Sequence, residues 1–257
     1  MSGLSLAVGP YGERKMEQHP GGLLSSVRTI ELQLVAFIVV FSASGLVPLS
    51  DIVFPVFVSS YLWILSKFVF PTYSKEGARM EVFHGSRNFQ FYLSLGTVLG
   101  LFLPLAYVLG GFARGDRDAV KACTPHLFLL SAQILSENLV SNLGIWSPPV
   151  RAFLAAIYNG RRIFSLAHWV DVQYNRRHVH PEAFFNDHVW LWFGRSLAVA
   201  NLIYFNINMF CFIIPRFIPR AFQRYNEAKA NVASASTSDT SHIQRDMPKT
   251  ETEKKSD

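Results

Sequence analysis

Charge is scarce in this chain. Only 16% of its 257 residues are Asp, Glu, Lys or Arg, against roughly a quarter in ordinary soluble domains, too few to coat a soluble fold of this size. Cysteine is nearly absent as well. Cys123 and Cys211 provide no disulfide framework and no Cys-x-x-Cys redox or metal spacing, so both are expected as free thiols. Neither His-Glu-x-x-His nor Gly-x-Ser-x-Gly occurs, which removes the signatures of zinc proteases and serine hydrolases. The first 28 residues are polar and Gly-rich, with no cleavable signal peptide, and the first apolar run is expected to act as its own insertion signal. The net charge is +6, but no stripe of Lys and Arg alternates with aromatics, so nucleic acid is not an expected partner.

What is present is apolar. Half of the residues are hydrophobic, with 22 phenylalanines, and they gather in five runs: Leu32 to Leu49, Ile52 to Phe70, Phe89 to Phe112, Pro125 to Trp146 and Val189 to Ile214. Each is near or above the ~18 to 20 residues that cross a bilayer. The expected fold is an all-α, polytopic transmembrane helix bundle of five strong spans, with one amphipathic helix as a sixth span or an interfacial element. Gly- and Pro-rich residues 1–28 and the Ser/Thr-rich stretch 226–257 read as disordered ends, leaving 29–225 as the helical domain.

The turn at residues 48–51 has no Lys or Arg, whereas the amino end and the 71–88 loop carry Arg14, Lys15, Arg28, Lys75, Arg79 and Arg87. The positive-inside rule then puts the amino end and that loop in the cytosol. Lys254 and Lys255, four and three places from the end, match a dilysine retrieval signal of endoplasmic-reticulum membrane proteins. Such a signal acts in the cytosol, so an even number of crossings is expected.

Residues 150–170 decide the count. At 100° per residue, Arg151, Tyr158, Asn159, Arg161, Arg162 and Trp169 share one side, and Phe153, Ala156, Ile157, Ile163, Phe164 and Ala167 the other. Arginines facing lipid cost roughly 2.5 to 3.5 kcal/mol each. This helix therefore lies in the interface plane or spans with its basic face sheltered by neighbours.

The fourth run carries polar residues where burial is expected. Gln133, Glu137 and Ser141 recur every four residues, with Asn138 and Asn142 beside them, and the last run repeats the feature with Asn201, Tyr204 and Asn208 after Arg195. Two seams of this kind are expected to face each other, with Glu137 bonded to Arg195 or to the asparagines, or serving as a proton or ion relay. Gly96 and Gly100, a small-xxx-small pair, are expected to admit a second helix closely. Four histidines, 168, 178, 180 and 188, crowd near Asp171, Glu182 and Asp187, but the spacing fits no paired-histidine box and reads as interfacial. Asp116-Arg117-Asp118 is a weak echo of the aspartate pair of sugar transferases and reads as a solvated loop. No catalytic residue, cofactor or metal is expected.

At HGSRNFQFYLSLGTVLGLFLPLAYVLGGFARGD (84–116) and ACTPHLFLLSAQILSENL (122–139), with VVFSASG (39–45) and KFVFP (67–71) before them, the chain resembles a plant family of small multi-spanning membrane proteins built on a domain of unknown function. The likeness covers roughly Arg28 to Arg224. It implies an integral-membrane protein and transfers no functional residue. The first expectation for function is a non-catalytic scaffold acting through helix packing, in contact with membrane lipids and other membrane proteins in a secretory-pathway membrane. A small transporter or channel built on Glu137, Arg195 and the asparagines is the second, and a lipid-modifying enzyme using the histidine-rich segment the third.

Overall fold

The computed structural model describes residues 21–73, 87–143, 146–176 and 185–245, with side chains described over 32–73, 87, 90–141, 146–175 and 185–234. Every regular element among them is helical. α1 (Gly21–Ala43) and α2 (Leu49–Phe68) form a hairpin. α3 (Arg87–Thr97) passes through a π turn, Val98–Phe102, into α4 (Leu103–Arg114). α5 (Arg117–Leu143) and α6 (Pro148–Asp171) follow, and α7 (Phe185–Ile207) continues through a π segment, Asn208–Phe217, into α8 (Ile218–Arg245).

The α4–α5 turn shows how local chemistry sets this path. Gly115 takes φ +70, the left-handed conformation that ends α4 without a Cβ penalty. Asp116 then accepts a hydrogen bond from the Ala119 backbone N–H at 3.0 Å, capping α5. Its second oxygen accepts from the Trp190 indole N–H at 2.9 Å, which ties α7 to the same corner. The first aspartate of the Asp-Arg-Asp triplet is therefore a helix cap.

α5 and α6 form the centre. Residues 122–129 of α5 are buried without interruption, so this helix has no outward face in that half. α6 is sided in the opposite sense from a soluble helix: Tyr158, Asn159, Arg162 and Trp169 are at most 1% exposed, while Phe164 is 72% exposed. The outer helices turn large apolar side chains outward, among them Phe57, Trp63, Phe91, Phe102 and Phe210, all more than half exposed. Soluble monomers rarely show apolar patches of such extent, and water offers no reason to bury arginine beneath phenylalanine. Hydrocarbon does.

Three helical stretches are long and apolar enough to cross a membrane, Leu49–Phe68, Gln90–Arg114 and Phe185–Ser234. This differs from the five strong spans expected. Leu32–Ala43, the part of α1 with described side chains, is a shorter apolar stretch, and α5 falls short because its central position lets it carry polar residues that face protein. The boundary drawn at 225/226 also lies inside a helix, since α8 reaches Arg245. Asn226 to Ala233 is rich in good helix formers, and extension of an existing helix avoids the cost of nucleation. At the other end α1 already starts at Gly21, eight residues before the boundary at 29.

Candidate functional site

The buried polar residues converge where α5, α6 and α7 meet. On α5, Gln133 and Glu137 stack one turn apart, and the Gln133 amide N–H donates to Glu137 at 2.7 Å. The Gln133 carbonyl accepts from Arg162 of α6. The Arg162 guanidinium also lies over the Phe205 ring of α7, 4.6 Å from its centroid. Ser136 and Tyr158 share a hydrogen bond of 3.3 Å beside this chain. A buried guanidinium thus reaches a carboxylate through a neutral amide, with an aromatic face on another side.

The expected Glu137–Arg195 contact does not form. From the shared end of the bundle, Glu137 is about twenty residues along α5 and Arg195 about ten along α7, a rise difference of roughly 15 Å. Arg195 instead donates through Nε to the Gln173 carbonyl at 3.0 Å and stacks on Tyr174 and Trp192. The α5 seam faces α6 and meets Arg162 on the side of that helix that the helical pattern marked as basic. Glu137 itself is half-buried and lines, with Arg151 and Val140, a cavity of ≈ 10 Å³, about the room of one water.

The α7 seam faces α6 and α3. The Asn208 amide donates to Asn159 at 3.2 Å, Asn159 donates to the Phe205 carbonyl at 3.1 Å, and the Tyr92 hydroxyl donates to Asn208 at 3.4 Å. The Tyr204 hydroxyl donates to the Tyr92 carbonyl at 3.1 Å. Asn201 is fully buried and donates to the Leu197 carbonyl at 2.9 Å. Asn138 is half-buried, and the side chain of Asn142 lies outside the described residues. Gly96 and Gly100 both face α7. A Cβ on Gly96 would fall on the Tyr204 hydroxyl, and one on Gly100 would be 3.0 Å from Phe205.

Three participants escaped the sequence reading. Asp51, taken as a turn residue, is 2% exposed and forms an ion pair with Arg161 of α6 at 2.6 Å; its place in the first turn of α2 also suits the positive end of the helix dipole. Gln173, in the turn after α6, donates to the Tyr107 hydroxyl at 2.7 Å. His126 is fully buried on α5 and donates through Nε2 to the Gly100 carbonyl at 2.8 Å. The signal for this last contact was Pro104, which lacks the N–H that a helix offers the carbonyl four residues earlier, that of Gly100. The π turn around Gly100 is the kind of irregularity that frees a carbonyl for a side chain.

Of the histidine-rich segment, His168 is exposed and His188 half-buried, while His178, His180 and Glu182 lie outside the described residues, as do Lys254 and Lys255. Among the described residues no three His, Cys, Asp or Glu side chains gather to hold a metal.

A helical bundle with a polar interior and apolar outer faces, three of its helices long and apolar enough to cross a membrane, defines a membrane-associated protein. A family profile described as a domain of unknown function, DUF7733, matches residues 25–226, and the chain belongs to that family. No curated protein and no solved structure matches it.

Proposed function

We propose that the chain is a six-pass membrane protein with both ends in the cytosol, and that it acts without catalysis as a scaffold for other membrane components. The carrying observation is the inward-facing polar side of α6, whose groups find partners on α2, α5 and α7 in an interior with room for about one water at Glu137. A conducting path through Glu137 needs more space than that. Six passes follow if α1 and the central pair are counted with the three long apolar stretches: α1, α2, α3–α4, α5, α6 and α7 alternate in direction, and the shortest, α2, has 20 residues, about 30 Å of rise, the thickness of the hydrocarbon core. Lys67, Arg87, Arg151, Arg216, Arg220, Arg224 and Lys229 lie toward one end of the bundle and Arg114, Arg117, Lys121, Arg161 and Arg195 toward the other, a small bias in the sense of the positive-inside rule.

Glycosylation mapping tests the topology. An acceptor site inserted at Gly115 is expected to be modified in microsomes, with acceptors at either end left unmodified; modification of an end overturns the arrangement.

A second reading, a small transporter, draws on Glu137, the half-buried carboxylate that lines the cavity beside Arg151. The two separate in proteoliposomes under a pH gradient. For the scaffold, vesicles carrying the protein leak no faster than empty ones and Glu137→Gln changes nothing in flux. A proton-coupled flux that disappears in Glu137→Gln, with the variant still folded, replaces the scaffold by the transporter.

A further inference from the structure

We infer that the interior around His126 holds one or two structural water molecules, bound jointly by the Gly100 turn, α5, α6 and α7. Four buried polar atoms have no hydrogen-bond partner in the protein: His126 Nδ1, Arg162 Nε, Trp169 Nε1 and Asn201 Oδ1. Their residues are at most 1% exposed. In such surroundings each unmade hydrogen bond carries the full desolvation penalty, and buried polar groups in folded proteins almost always find protein or water.

The four belong to one neighbourhood. The His126 ring is stacked on Trp169 at 6.4 Å between centroids and meets Phe205 edge-on at 5.3 Å. Arg162 covers that same Phe205 ring. Asn201 Oδ1 is 4.0 Å from the point a Gly100 Cβ would occupy, and the Gly100 carbonyl is the acceptor for His126. Two hydrogen bonds of about 2.9 Å each, joined at one water, let a water link groups that cannot meet directly.

Donor and acceptor roles identify the ligand. A carbonyl only accepts, so His126 carries its proton on Nε2 and offers a lone pair at Nδ1. Asn201 donates to the Leu197 carbonyl, which assigns its nitrogen and leaves Oδ1 as an acceptor. The indole N–H of Trp169 and the Nε–H of Arg162 are donors. Two donors and two acceptors would each repel part of an ion of either sign, whereas water gives two hydrogens and accepts two. The bridge links the π turn forced by Pro104 to three other helices at a depth where lipid supplies no hydrogen bonds. It is independent of the scaffold and transporter readings.

Radiolytic labelling of the full chain in nanodiscs, in water enriched in oxygen-18, tests this, because radicals made from a bound water modify the side chain touching it even where bulk solvent is excluded. Phe128, equally buried among apolar side chains, is the internal control. After correction for intrinsic ring reactivity, Trp169 and His126 are expected to incorporate label at least tenfold more than Phe128. Equal incorporation overturns the site. Asn201→Leu, which deletes one acceptor, is expected to lower labelling of Trp169 several-fold. Undiminished labelling in a folded Asn201→Leu chain assigns the signal to breathing of the bundle and also overturns the site, while the measurement on the unmodified chain stands whether or not that variant folds.

Discussion

Arg162→Met is expected to destabilise the bundle by about 1–3 kcal/mol, the range for leaving a buried acceptor without its donor. Arg162 is 1% exposed and satisfies the Gln133 carbonyl, which in turn holds Glu137 through its amide. Methionine retains much of the volume and the contact with Phe205, so the loss isolates the polar term. The double variant Arg162→Met with Gln133→Leu is expected to regain the part due to the unsatisfied Gln133 carbonyl, less the loss of the Gln133 donor to Glu137. Unfolding by steric trapping or by SDS titration measures both. A single variant as stable as the parent would mean that Arg162 contributes no more than an apolar side chain of its size.

The second large effect is steric. Gly96→Ala is expected to cost about 1–3 kcal/mol, the usual penalty for added volume in a packed core. The new Cβ falls on the Tyr204 hydroxyl, and Tyr204 has little freedom to retreat, since its ring is stacked on Tyr92 at 4.9 Å between centroids and its hydroxyl donates to the Tyr92 carbonyl. Gly160→Ala is the matched comparison. Nothing lies within 4 Å of its Cβ position, so the change is expected to be neutral or to stabilise by up to ~1 kcal/mol through helix propensity. Similar losses at both glycines, measured in the same detergent, would remove the close approach of α3 to α7 as the cause.

Much of the architecture was readable from the residues because hydrocarbon imposes simple conditions on a chain. The apolar runs of α2, α3–α4 and α7 stand out since each must satisfy lipid along its length. The two-sided character of α6 was readable too, because two adjacent arginines cannot face lipid, although the sequence left open whether that side turned inward or toward the interface. The position of α5 was not readable: a hydropathy profile records composition and not which helix is surrounded by others, and α5 is buried all round over 122–129. His126 showed a similar limit. Its partner is the carbonyl that Pro104 leaves without a donor, a relation between residues 26 positions apart in sequence, and periodicity within one helix cannot reach it.

Pairing was the part that the sequence left open. Glu137 and Arg195 are the charged residues of their runs, and matching them seemed economical, yet the two seams turn toward α6 from different sides. The amino-acid sequence by itself determined that this is an all-helical chain with apolar helices suited to a membrane and with inward-facing charge, because burying unpaired polar groups in lipid is prohibitive. Only the tertiary structure decided which partners those charges meet, since the rotation of each helix about its axis is set by the packing of its neighbours and leaves no mark in the chain's own periodicity.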